Sequence, residues 1–174
     1  MTVEIPLTRG YVALIDDEDA ALVSPFRWYT HQRGTYAFTQ HSGQIVGAPK
    51  TVLMHRLILG IAAAGREVSA DHINLNGLDN RRANLRICSH SQNMANQTGR
   101  AGAKSPFKGV RPFRGKFLVQ AGPTYVGFFA NEIEAALAYD AAARARWGAF
   151  ARLNFPAPGE QSALIESVPE SLAA

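Results

Sequence analysis

Val68-Ser-Ala-Asp71-His72-Ile-Asn-Leu-Asn-Gly-Leu-Asp-Asn-Arg-Arg-Ala-Asn84-Leu-Arg-Ile-Cys88-Ser-His-Ser-Gln-Asn93 is the stretch whose reading decides the fold of this chain. Val68 to Ile73 suits a short strand, and Asn74 to Asn80 is dense in turn-forming residues. Leu85 to Cys88 alternates as a second strand, and Ser89 or Ser91 is placed to cap a helix that carries Asn93. A hairpin packed on a helix would bring Asp71, His72 and Asn93 to one point. Adjacent Asp and His side chains supply one hard oxygen ligand and one base that titrates near neutral pH. Water is activated against a phosphodiester by such groups, a base together with a divalent cation that stabilises the leaving oxygen.

At these residues the chain resembles the HNH endonucleases, with their ββα-metal fold, and most closely the branch found in phage and homing enzymes. The resemblance covers roughly residues 54–96, with Met54-His-Arg-Leu-Ile58 leading in. It implies that His72 is the general base and that Asp71 and Asn93 bind a divalent metal, Mg²⁺ or alternatively Mn²⁺. It also implies that Asn84 braces the loop and so orients His72. Asn93 stands where many members carry a histidine; an amide oxygen is also a hard ligand.

The chain has 174 residues and a formal charge of +4, and the distribution of that charge says more than its size. Residues 1–65 are neutral, residues 66–116 hold ten Lys/Arg against three Asp/Glu, residues 117–156 balance, and residues 157–174 hold three Glu with no base. The basic stripe spans the Asp71-His72 stretch and the segment after it, as phosphate contacts require. Cys88 is the single cysteine, which excludes a disulfide framework and a Cys-x-x-Cys zinc site. No apolar run reaches membrane-spanning length and the N-terminus has no signal-peptide pattern, so a cytoplasmic protein without membrane association is expected.

Upstream, Tyr11 to Ile15 reads as a strand, and Asp16 to Asp19 gives acidic helix-start chemistry before Ala20 to Val23. Trp28-Tyr29, Tyr36 to Phe38 and Thr51 to Leu53 suit a small antiparallel sheet, with loops around Gly34 and Ser42-Gly43. Leu53, Leu57 and Ile61 have helical spacing, with Gly65 as the stop. His55-Arg56 in that helix could meet phosphate or serve structure alone. Downstream, residues 98–104 form a polar linker. Gly109 to Arg111, Lys116 to Gln120 and Tyr125 to Phe129 then read as three short strands, with turns at Arg114-Gly115 and Gly122-Pro123. Asn131 caps a helix from Glu132 to Arg146, which Gly148 stops and whose alanines let it lie close on the sheet.

Phe107-Lys-Gly-Val-Arg111, Tyr125-Val-Gly-Phe-Phe129, Glu134 to Ala142 and Leu153-Asn-Phe-Pro156 together resemble the Apetala/ethylene-response-factor DNA-binding domain, over residues 105–156. The likeness implies a sheet laid in the major groove of double-stranded DNA, with Lys108, Arg111, Arg114, Lys116 and Tyr125 at or beside the contacting positions. Phe117 and Tyr125 stand where the family commonly has tryptophan.

The expected architecture is α+β: a small antiparallel sheet plus the ββα-metal hairpin (residues 1–97), the linker, a three-stranded sheet with one packed helix (105–156), and an acidic tail (157–174). The expected activity is metal-dependent hydrolysis of DNA, targeted by the second sheet, with double-stranded DNA as partner and no obligate protein partner. The pairing of resemblances implies a phage or mobile-element origin, hence a bacterial host cytoplasm. The alternative is a sequence-specific DNA-binding regulator whose nuclease half is inactive.

Overall fold

The structure is a computed structural model that describes residues 1–33, 36–43, 45, 49–65, 67–99 and 102–164. The chain divides into two units, Met1–Asn93 and Met94–Ala174. The fold is mixed α+β. Among the described residues it holds four small antiparallel sheets, one two-stranded parallel pair and few helices.

In the first unit, β1 (Thr2–Pro6) pairs antiparallel with β2 (Val12–Asp16), from Thr2 opposite Asp16 to Pro6 opposite Val12. Burial in β2 alternates along the strand, placing Ala13 and Ile15 inside. After a 3-10 turn of acids, Asp17–Asp19, comes the one-turn α1 (Ala20–Val23). The indole of Trp28 closes this corner by donating to the Val23 carbonyl at 2.9 Å. A three-stranded antiparallel sheet follows, β3 (Tyr29–Arg33), β4 (Tyr36–Ser42) and β5 (Thr51–Leu53), with β4 central. The loop expected at Gly34 lies outside the described residues.

β5 runs directly into α2 (Met54–Ile58). The helical spacing that reaches Ile61 predicts a longer helix with its stop at Gly65, but the helix ends earlier. Gly60 takes φ +70°, its N–H donates to the Leu57 carbonyl at 3.0 Å, and Ile61 N–H reaches the Arg56 carbonyl at 2.9 Å. This is a Schellman termination: the left-handed residue turns the chain before the apolar period runs out. Arg56 then holds the connection, donating to the carbonyls of Val68 (2.7 Å), Ile61 (3.0 Å) and Ala64 (2.7 Å). That guanidinium serves the backbone of this loop.

β6 (Ser69–His72) and β7 (Leu85–Cys88) pair antiparallel, with Asp71 opposite Arg86 and His72 opposite Leu85. α3 (His90–Asn96) follows, and the division between the units falls within it. Of the two candidate caps Ser89 serves. Its hydroxyl accepts from Gln92 N–H at 3.2 Å, while the Gln92 side chain accepts from Ser89 N–H at 2.8 Å. This is a capping box with reciprocal satisfaction of helix-start donors. The core of the unit gathers Ile5, Ala13, Ile15, Val23, Trp28, Val52, Met54, Leu57, Ile58 and Leu85.

In the second unit, β8 (Val110–Phe113), β9 (Lys116–Ala121) and β10 (Thr124–Phe129) form an antiparallel sheet with β9 central and a bulge between Tyr125 and Gly127. Arg114 and Gly115 both take positive φ, 48° and 76°, as a tight two-residue hairpin turn requires. α4 (Glu132–Trp147) begins at Asn131, whose side chain accepts from Ile133 and Glu134 N–H at 2.8 and 3.1 Å. Ala135, Ala136, Tyr139, Ala143 and Trp147 bury one face of α4 on Val110, Val119 and Ala121. The alanines let helix and sheet approach closely, whereas Ala141 and Ala145 remain exposed. Gly109 shows how close the packing is: a Cβ there would stand 2.0 Å from the Tyr139 ring.

Residues 157–164 belong to the expected acidic tail, yet they are held against the unit. β11 (Arg152–Leu153) pairs in parallel with β12 (Gln161–Ser162), and Glu160 forms an ion pair with Arg144 at 2.8 Å. Residues 165–174 lie outside the described residues. Asp140, fully buried, accepts from the backbone N–H groups of Asn154 (2.8 Å) and Phe155 (2.7 Å). Asn154 in turn bonds both backbone groups of Lys108, at 2.8 and 3.1 Å.

Candidate active site

The β6/β7 hairpin sets Asp71 and His72 next to each other at the end of β6, and both are 3% exposed. Asp71 faces its cross-strand partner Arg86, whose Nε and Nη2 donate to Oδ2 at 3.0 and 2.9 Å. The guanidinium is the opposite charge that a buried carboxylate requires.

His72 Nε2 lies 3.2 Å from Oδ1 of Asn80. Asn80 is fully buried, and its Nδ2 faces the Thr39 hydroxyl and the Gly77 carbonyl, both at 3.5 Å. With the amide turned this way, Oδ1 can only accept, so the neutral imidazole carries its proton on Nε2 and its lone pair on Nδ1. Burial pulls the His72 pKa below its ordinary value, opposed by the Asn80 hydrogen bond and the Asp71 and Asp79 carboxylates. The ring is therefore neutral at physiological pH, as a general base must be.

Asn84 is buried at the end of a 3-10 turn (Arg82–Asn84) leading into β7. Its Oδ1 accepts from Asn74 N–H at 3.0 Å, its Nδ2 donates to the Asp79 carbonyl at 2.7 Å, and its own carbonyl accepts from Ile73 N–H at 2.9 Å. Three bonds tie the residue after His72 and both flanks of the connecting loop to one side chain and its backbone. Asp79 adds a bidentate pair with Arg81 at 2.7 and 2.8 Å and accepts from Asn74 at 3.0 Å; the Arg81 bonds hold its carboxyl below the usual carboxylate range. The loop also docks on the N-terminal hairpin, Leu14 exchanging backbone bonds of 2.8 and 2.7 Å with Leu78 and Asn80. Asn93 is half-buried on α3, in the turn that Ser89 caps.

Asp71 and Asn93 offer a carboxylate and an amide oxygen. That donor set fits a hard cation such as Mg²⁺, which takes few protein oxygens and completes its shell with water and substrate phosphate. Asp71 would share its carboxylate between the ion and Arg86. A second acidic group, Asp16, Glu18 and Asp19, has its carboxylates within 4.8 Å of one another. Arg82 answers that group: its guanidinium pairs with Glu18 at 3.1 Å and Asp19 at 2.6 Å, and its N–H donates to Asp16 at 2.7 Å. The cluster therefore acts as a tie between the acidic turn and the 3-10 turn before β7.

Two residues of the hairpin's surroundings are absent from the sequence-derived site. Asn80 reads locally as one more turn former. His55 on α2 stands with its ring 4.8 Å from that of His72, edge to face at 77°. The only sequence signal for it is a histidine at a helix start.

In the second unit, β8, β9 and β10 turn Arg111, Phe113, Lys116, Leu118, Gln120, Tyr125 and Phe128 to the face opposite α4. Phe113, Tyr125 and Phe128 are 42%, 58% and 46% exposed. Phe128 touches both others, at ring separations of 5.7 and 5.9 Å, and the Arg114 guanidinium lies 5.3 Å over Phe113. Arg111, Arg114 and Lys116 are exposed around this aromatic patch. Phe117, by contrast, packs toward α4. Lys108, expected at DNA, is turned inward: its ammonium donates to the carbonyls of Ala95 (2.5 Å) and Gln97 (2.6 Å). The orphan carbonyls at the end of α3 attract the cation, and burial, with Arg152 nearby, pulls its pKa down to about 8.

Among the described residues no helix is long and apolar enough to cross a membrane. Compared with protein-family models, curated proteins and solved structures, the chain matches none.

Proposed function

We propose that this chain is a metal-dependent DNA endonuclease of the HNH, phage/homing type, whose second unit supplies the sequence reader. The observation that carries the reading is the held imidazole: Asn80 accepts from His72 Nε2 at 3.2 Å, beside Asp71 on the same strand. His72 Nδ1 takes a proton from water, the hydroxide oxygen bonds to phosphorus, and the bond from phosphorus to the 3′-oxygen breaks in line. General-base help of this kind is typically worth about 10²–10⁴ in rate. Asp71 and Asn93 would hold a divalent ion, Mg²⁺ or Mn²⁺, which when bound supplies charge stabilisation for the departing oxygen. Asn84 keeps the loop after His72 in place through its bonds to Asn74 and Asp79.

Recognition falls to the exposed face of the second sheet. Arg111 and Arg114 have the guanidinium fork that pairs with guanine edges, and Lys116 is a phosphate contact. Tyr125 supplies apolar area on the same face. Lys108 positions the backbone around it instead of touching DNA.

A second reading, a DNA-binding regulator with a retired nuclease half, draws on one observation: Asp71 and His72 are each only 3% exposed, and Asp71 is paired with Arg86. Supercoiled plasmid incubated with the full chain and Mg²⁺, with and without chelator, separates the two. Metal-dependent nicked or linear product supports the enzyme. Intact plasmid with retained DNA binding supports the regulator.

A further inference from the structure

Among the described residues, the buried side-chain nitrogen left without a hydrogen-bond partner is Nδ1 of His55. The residue is 7% exposed, on α2, with its ring against that of His72. Met54, Leu57 and Ile58 of the same helix all belong to the core, so His55 sits on a helix that is otherwise largely apolar on its buried side. A phenyl ring would occupy such a place without leaving a polar atom unpaired. Buried orphan polar groups are rare in folded chains, and each calls for a reason. Functional sites are where such local misfits are kept.

We propose that His55 is a second catalytic imidazole, whose Nδ1–H donates to a non-bridging oxygen of the scissile phosphate when DNA is bound. The proposal rests on the nuclease reading and deepens it. Water held by His72 must lie in hydrogen-bond reach of that ring and in attacking distance of phosphorus, so the phosphate oxygens come next to the neighbouring ring at 4.8 Å. Negative charge builds on those oxygens as the new bond forms, and a donor fixed beforehand stabilises it without reorganisation. Burial, with His72 and Arg56 close by, lowers the His55 pKa to about 3, so the ring is a neutral donor at physiological pH. The two imidazoles thus divide the labour: one removes a proton from water, the other holds the group being attacked.

His55→Phe and His55→Asn in the full chain, assayed with plasmid and Mg²⁺, test this. His55→Phe keeps the ring shape and removes the orphan nitrogen, so its thermal midpoint rises. Its kcat falls by about 10²–10³, the usual loss for one oxyanion donor, with KM for DNA changed by less than about threefold. His55→Asn puts an amide nitrogen near the place of Nδ1 and recovers at least about tenfold of that loss. The proposal is overturned if His55→Phe cuts at the wild-type rate, or if His55→Asn does no better than His55→Phe. A wild-type chain that binds DNA but never cuts it defeats the nuclease reading itself, an outcome distinct from either of these.

Discussion

Removing the Asp71 carboxylate tests whether this side chain serves the fold, the chemistry or both. In Asp71→Ala the Arg86 guanidinium, only 16% exposed, loses two charge-assisted bonds of 2.9 and 3.0 Å and with them the carboxylate that faces it across the hairpin. Breaking a buried pair from one side costs about 3–5 kcal/mol, and residual solvation of Arg86 places the loss at the lower end, about 3 kcal/mol. With a urea slope of about 1–1.5 kcal/mol/M for a unit of this size, the midpoint falls by about 2–3 M. The companion variant Asp71→Ala/Arg86→Met removes both charges and leaves apolar volume, so most of that stability returns. On the nuclease reading cleavage does not return, because the oxygen proposed to hold the metal is still missing. Equilibrium urea unfolding followed by tryptophan fluorescence, alongside plasmid cleavage, reads both effects. A midpoint shift below about 0.5 M for the single variant would refute the buried-pair argument. Cleavage regained by the double variant would remove Asp71 from the metal site.

Asn84→Ala strips two bonds from the loop after β6 and is expected to cost roughly 1–3 kcal/mol and speed amide exchange at residues 74–79. Asn93→Ala should leave exchange there unchanged and raise the metal concentration needed for half-maximal cleavage; identical metal titrations of the two variants would sink this division. His55 and His72 are both buried neutral with lowered pKa values, so between pH 6.5 and about 3 the unfolded chain binds more protons than the folded one. Stability of the first unit therefore falls as pH drops below 6.5, and acid titration of His55→Phe should show a shallower decline. In the second unit, Gly109→Ala must place a Cβ into the Tyr139 ring at a φ of +76°, and we expect a loss above about 3 kcal/mol by thermal or urea unfolding. Lys108→Met should lower stability by roughly 1–3 kcal/mol and leave the salt dependence of DNA binding unchanged. Arg111→Ala or Lys116→Ala should each reduce the salt slope by about one phosphate, and the reverse pattern would return Lys108 to the DNA face.

The strands, the two hairpins and α4 were legible in the sequence because their signals are local. Two-residue alternation, the Arg114-Gly115 turn, the Asn131 cap and the Gly148 stop each sit inside the element they define. β1 was missed because five residues with one buried side chain carry too little period to read. α2 was overextended because the apolar spacing continues to Ile61, while Gly60 turns the backbone first. β11 and β12 pair in parallel across a loop, and nothing in two residues apiece announces that. In the site, Asp71, His72, Asn84 and Asn93 were visible as a spaced set. Asn80 was not, since what distinguishes it is a neighbour 41 residues away, Thr39. The inward turn of Lys108 was hidden for a related reason: a lysine on a basic stripe looks solvated until the carbonyls of Ala95 and Gln97 are known to be near it.

The stitch between Lys108 and Asn154 joins residues 46 apart, and Gly99 and Ala163 meet across a still longer span. On the ribosome this sets a schedule. The first unit, Met1–Asn93, is out in full once α3 has emerged through Asn96, whereas the second cannot close until the segment near Ala163 follows. At synthesis rates of about 5–20 residues per second, that interval is roughly 3–15 s, long against the folding time of a small domain. For those seconds the whole of the N-terminal unit is available to fold while the second sheet is still unfinished. A stalled or truncated chain would then present the first unit without the second.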